Sequence, residues 1–130
     1  MSPAKRVLCY LLAVMMVAVG VTHFTNPAPF VDIMPGYLPW HLELVYLSGV
    51  FEILGGVGLV LPATRRAAAW GLIALFVCVF PANVHHAMHH VPAGGVVLPP
   101  AYLWGRLPLQ AVLIAWAYWM TRPSEPRARA

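Results

Sequence analysis

One carboxylate stands where a carboxylate is expensive. Glu52 lies near the middle of the apolar run 41–62, HLELVYLSGVFEILGGVGLVLP. An acidic side chain in such a place costs roughly 2.5–3.5 kcal/mol on insertion scales for the comparable Asp, so it is rarely accidental. At about 100° per residue, Ser48, Gly49, Glu52, Gly55 and Gly56 share one stripe of a helix. Small residues on a stripe let neighbouring helices approach closely, so the stripe faces protein and Glu52 faces protein with it. A carboxyl group held in that way is suited to accepting or donating a proton, or to orienting a bound molecule.

Other polar side chains lie at compatible depths. At 1.5 Å per residue, Glu52 sits roughly 16 Å below the outer end of its helix, Asn83 and Gln110 roughly 11–14 Å, and Arg106 nearer the surface. Glu52, Asn83 and Gln110 are therefore expected to meet at one level, with His23 reaching down from the top of the first apolar run. Arg106 and Gln110 are four residues apart and share a helix face. Glu43 is nine residues from Glu52, about half a turn away around the helix, and is expected outside that pocket. In a ligand site Glu52 would exchange the proton, Asn83 and Gln110 would orient the ligand, and His23 or Arg106 would relay or balance charge. The competing reading is structural: polar side chains across membrane helices also act as glue worth about 0.6 kcal/mol each, and Glu52 bonded to Asn83 would be an instance.

A second constellation is His85, His86, His89 and His90, two i,i+4 pairs on one broad helix side. Such pairs can hold Zn²⁺ or Cu²⁺. No neighbouring cysteine or carboxylate completes a tetrahedral set in sequence, and histidines near a helix C-terminus are also favoured by its dipole when protonated. Asp32 reads as a solvated loop residue. Cys9 and Cys78 fall at depths roughly 13 Å apart, beyond the reach of a disulfide, so two free thiols are expected. No C-x-x-C pair is present.

The elements that must carry these residues follow from composition. The chain has 130 residues, 61% hydrophobic and 9% charged, with a mean hydropathy of +0.74. Soluble domains carry about 25% charged residues, so an integral membrane protein is the expected class and the lipid bilayer its first partner. The net charge of +4 does not point to nucleic acid. Seven of the eight basic residues fall in three short polar segments (Lys5 and Arg6; Arg65 and Arg66; Arg122, Arg127 and Arg129), the pattern of orientation signals between spans.

An all-α fold is expected, a transmembrane four-helix bundle with spans at about 7–24, 41–62, 67–90 and 101–121. A disordered basic tail is expected over 122–130. The first span has a basic start but no Ala-x-Ala site, and reads as an uncleaved helix. Residues 25–40, TNPAPFVDIMPGYLPW, hold four prolines and are expected to form no regular helix. They predict a proline-rich outer loop in the interface. Pro81 falls inside the third span. Stopping there would leave about 21 Å against a core of ~30 Å, so the helix is expected to continue through a kink. Residues 91–100, VPAGGVVLPP, read as a turn. Four spans place both termini and Arg65–Arg66 on one side, cytoplasmic by the positive-inside rule, with all six histidines toward the other.

These pieces together resemble the DoxX-like family of small four-helix membrane proteins. The matching residues are His23-Phe24, then Met34-Pro35 and Leu38-Pro39, then Ser48-Gly49-x-x-Glu52 with Gly55 and Gly56, and Phe80-Pro81-Ala82-Asn83, covering roughly 20–90. The resemblance implies a bacterial inner-membrane bundle and a link to quinone-dependent redox systems, with a quinone as the ligand class. Its pattern is poorer in histidine than 85–90, so metal binding does not come with it. No haem, flavin or iron–sulfur signature is present. Two functions stay open: an accessory subunit of a membrane redox system that binds a quinone-like or other small apolar ligand near Glu52, and a non-catalytic protein that assembles or stabilises a partner, itself or another chain, through small-residue helix faces. A carrier is a weaker third reading, because the chain shows no internal repeat.

Overall fold

Ser2 sets the first helix. Its Oγ accepts a hydrogen bond from the Lys5 amide at 3.2 Å, and Pro3 takes the first helical position, where a missing N–H leaves nothing unpaired. The helix therefore starts before the apolar run and carries Lys5 and Arg6 in its first turn. The computed structural model describes residues 1–123, in five helices: α1 (Pro3–Thr25), α2 (Ala28–Asp32), α3 (His41–Val60), α4 (Arg65–His89) and α5 (Pro100–Thr121). The tail expected over 122–130 lies outside the described residues from residue 124 onward.

α1, α3 and α4 are long and apolar enough to cross a membrane. α5 has the length of a span, 22 residues, but Arg106 and Gln110 interrupt its apolar sequence and it stands outside that set. α4 passes through Pro81 without a break, as membrane thickness demands of it. It also begins earlier than expected, so Arg65 and Arg66 form its first turn rather than a loop.

The proline-rich segment needs a correction. It holds a helix after all, the five residues of α2. Pro27 occupies the cap and Pro29 the first turn, where the N–H groups have no intrahelical partner to lose. Four prolines exclude a long helix but not a single turn of one. Beyond α4, Gly94 (φ +60°) and Gly95 (φ +81°) make the expected turn, closed by paired bonds between Ala93 and Val96. The Gly94 amide also donates to Asp32 Oδ2 at 3.0 Å, so Asp32 anchors the turn to α2.

α1 packs on α3, α3 on α4, and α4 on α5. The α1–α3 seam is closed by glycine. A Cβ on Gly56 would lie 2.7 Å from the Ala13 carbonyl oxygen, and one on Gly20 2.8 Å from that of Gly49. Gly55, on the same stripe, is filled by Leu72 of α4. A continuous core of Cys9, Leu12, Met16, Leu59, Leu72 and Phe76 lies across these helices. Cys9 Sγ bonds the Leu59 carbonyl at 3.3 Å, Cys78 is exposed, and both are free thiols, as their depths require. Val14, Leu54, Val77 and Val112 face outward from the four long helices, an apolar exterior that suits lipid.

Candidate functional site

The close approach at Gly20 and Gly49 delivers His23, one helical turn further along α1, onto the Glu52 face of α3. A Cβ on Gly49 would sit 2.8 Å from the His23 Cβ, so only glycine admits the ring there. His23 Nε2 lies 3.3 Å from Glu52 Oε2, with the residues 5% and 8% exposed. On its other edge, Nδ1 is 2.9 Å from the Val45 carbonyl and 3.0 Å from Ser48 Oγ, and Ser48 Oγ itself donates to Val45 at 2.9 Å. A carbonyl can only accept, so Nδ1 carries a hydrogen. Nε2 is then the ring's remaining basic position, and it faces Glu52 Oε2. Glu52 Oε2 has no hydrogen bond of full geometry and is buried. Phe30 of α2 lies against the His23 ring, centroids 4.0 Å apart, and covers it at the α2 end of the molecule.

The remaining expected residues form a second cluster between α4 and α5. Asn83 Nδ2 donates to Gln110 Oε1 at 2.7 Å, and Arg106 Nη2 donates to Asn83 Oδ1 at 2.8 Å. Gln110 Nε2 donates to the Phe76 carbonyl, one residue from the carbonyl that Pro81 leaves without its helical partner. Arg106 Nη1 donates to His86 Nδ1 at 3.2 Å, which places the ring hydrogen on Nε2. His86 is 1% exposed, and Nε2 has no hydrogen-bond partner. The Arg106 guanidinium also stands 5.7 Å from the Tyr102 ring centre.

The structure therefore divides the expected site. Asn83, Gln110 and Arg106 meet, and His23 meets Glu52, but Glu52 reaches neither Asn83 nor Gln110 among the described hydrogen bonds. The glycine seam draws the Glu52 stripe to α1, while the polar face of α4 is taken by α5. Glu43 is exposed and apart, as its angular position requires.

The histidine cluster is divided too. His85 and His89 are neighbours, ring centroids 4.6 Å apart, and His85 Nδ1 lies 3.3 Å from the Ile33 carbonyl. His86 turns inward to Arg106, and His90 ends α4 in a left-handed conformation (φ 49°). Among the described residues no three His, Cys, Asp or Glu side chains converge as a metal set. Three participants escaped the sequence reading of the two clusters. Ser48 was visible on the Glu52 stripe, and His86 is three residues from Asn83 and so on its face. Phe30 carried no signal, since its position depends on α2.

The chain belongs to the family described as a domain of unknown function, DUF8561, whose model matches residues 12–121. That stretch takes in both polar clusters. No curated protein and no solved structure matches it.

Proposed function

We propose that this chain is a multi-pass protein of the bacterial inner membrane in which α5 is a fourth span. α1, α3, α4 and α5 then form a transmembrane four-helix bundle, with residues 25–40 as its outer, proline-rich loop. The basic residues at 5–6, 65–66 and 122 gather at one end and put both termini in the cytoplasm. The length of α5 supports this, as does Lys5 Nζ bonding the Arg122 carbonyl at 3.1 Å, which sets the start of α1 beside the end of α5.

Within that bundle we infer an accessory subunit of a membrane redox system whose His23–Glu52 pair exchanges a proton with a small apolar ligand of the quinone class. The observation that carries the reading is the buried Glu52 Oε2, held 3.3 Å from a basic ring nitrogen and otherwise without a hydrogen-bond partner. A ligand hydroxyl would satisfy that oxygen, so these residues fit such a group. A quinone, when bound, supplies paired electron and proton transfer. The chain's own part is narrower. Val45 and Ser48 fix the Nδ1 hydrogen, so Nε2 is the only basic face of the ring. Glu52 holds or releases the proton opposite it. Phe30 keeps water from the pair. The redox assignment rests on the resemblance to DoxX-like proteins, not on this geometry.

One observation favours the non-catalytic alternative for the other half. Asn83 and Gln110 bond one another, the helix backbone and Arg106, as polar glue does.

Glu52→Gln tests the first reading. The amide keeps shape and hydrogen-bonding capacity but does not titrate near neutral pH. The variant is expected to melt with the parent in detergent and to lose most of its copurified quinone, measured by mass spectrometry of the extracted lipid. Full quinone content in that variant refutes a charge-dependent site and leaves the assembly role.

A further inference from the structure

A second concentration of charge lies at the end away from both clusters. There the start of α1, the end of α3, the start of α4 and the end of α5 surround a cavity of about 180 Å³. Lys5, Arg65, Arg66 and Arg122 line it, and no carboxylate among the described residues does. Among the described residues, none of these four cations makes a salt bridge to a carboxylate. α1 and α4 both begin here with basic residues and without an acidic one in the first turn, the place where a helix dipole favours an anion.

Part of this charge has a structural task. Arg65 Nε donates to the Leu59 carbonyl at 2.7 Å and its Nη2 to that of Val60 at 3.2 Å, closing the last turn of α3. Lys5, only 7% exposed, gives one hydrogen to the Arg122 carbonyl at 3.1 Å and stands 5.5 Å from the Trp119 ring centre. An ammonium has three hydrogens to give, and one carbonyl takes one of them. Arg66 and Arg122 are exposed at the rim. A carbonyl fixes a cation without cancelling its charge, so Lys5 and Arg65 are held in place as parts of an anion receptor. At about 180 Å³ the cavity admits a phosphate and its ester oxygens. It opens at the end of membrane-crossing helices, the level at which lipid phosphates lie.

We propose that the cavity bounded by Lys5, Arg65, Arg66 and Arg122 binds the phosphate group of an anionic phospholipid. The test uses the full chain in detergent, titrated separately with short-chain phosphatidylglycerol, short-chain phosphatidylcholine and inorganic phosphate, and read by native mass spectrometry and by melting temperature. Phosphatidylglycerol is expected to bind and raise the melting temperature, and phosphatidylcholine to do neither. The double variant Arg66→Gln, Arg122→Gln changes two exposed side chains and leaves the bonds from Arg65 to the α3 carbonyls in place, so its ligand-free melting temperature should match the parent. Its phosphatidylglycerol affinity should fall roughly thirtyfold, the effect of two basic residues at a membrane surface. Equal binding of the two lipids, or undiminished binding by the double variant, overturns the site. Inorganic phosphate binding more tightly than phosphatidylglycerol overturns the lipid as its occupant.

Discussion

The two seams of this molecule solve the same packing problem by opposite means. α1 and α3 meet through glycine, backbone against backbone, and the His23–Glu52 contact between them leaves a carboxyl oxygen without a hydrogen bond. α4 and α5 meet through long polar side chains, joined amide to amide and guanidinium to amide. Close backbone packing needs no help from Glu52, so the carboxyl group there is free to serve something else. The amide network is itself the joint. A polar residue inside a membrane bundle is thus a better functional candidate where the helices would hold together without it.

This contrast can be broken by substitution. Gln110→Leu should have the largest effect, because it strands the Asn83 amide and removes the bond to the Phe76 carbonyl, at about 1–3 kcal/mol for each group. Glu52→Leu strands only His23 Nε2 and should lose about 1–3 kcal/mol. Reversible unfolding in mixed micelles measures both. If Glu52→Leu were the more damaging, the α1–α3 seam would depend on its His23–Glu52 contact and the comparison would fail. The double variant should equal the sum of the singles within about 0.5 kcal/mol, since the clusters share no hydrogen bond.

Gly56→Val addresses the glycine seam away from the pair. The new Cβ would press on the Ala13 carbonyl, a backbone atom that cannot swing aside. A loss of about 1–3 kcal/mol is expected, the usual range for overpacking. The smallest effect belongs to Gly105→Ala in α5. Nothing lies within 4 Å of its added Cβ, so helix propensity alone should act, a gain of at most about 1 kcal/mol. A clear loss there, in the same unfolding assay, would reveal a contact to Gly105 from a second molecule.

Much of this was legible in the sequence for definite reasons. The stripe through Gly49, Glu52, Gly55 and Gly56 is angular information, and angle within a helix survives folding. The continuation of α4 through Pro81 followed from length alone. The partner of Glu52 was not legible, because depth along a helix is one coordinate and the choice of neighbour is another. Asn83 and Gln110 lay at a suitable level but on helices that face each other. α2 was missed because proline was read as a breaker everywhere, whereas its defect is silent in a first turn.

α2 also changes how separate the two seams are. Its Phe30 rests on His23 in the α1–α3 seam. Asp32, two residues on, holds the Gly94 turn that joins α4 to α5, and the Ile33 carbonyl meets His85 of α4. One short helix therefore touches both halves. The two polar clusters share no described hydrogen bond, but both seams meet α2: a displacement of α2 that lifts Phe30 from His23 also pulls on the Gly94 turn and His85. Whatever displaces α2 is therefore felt at both seams.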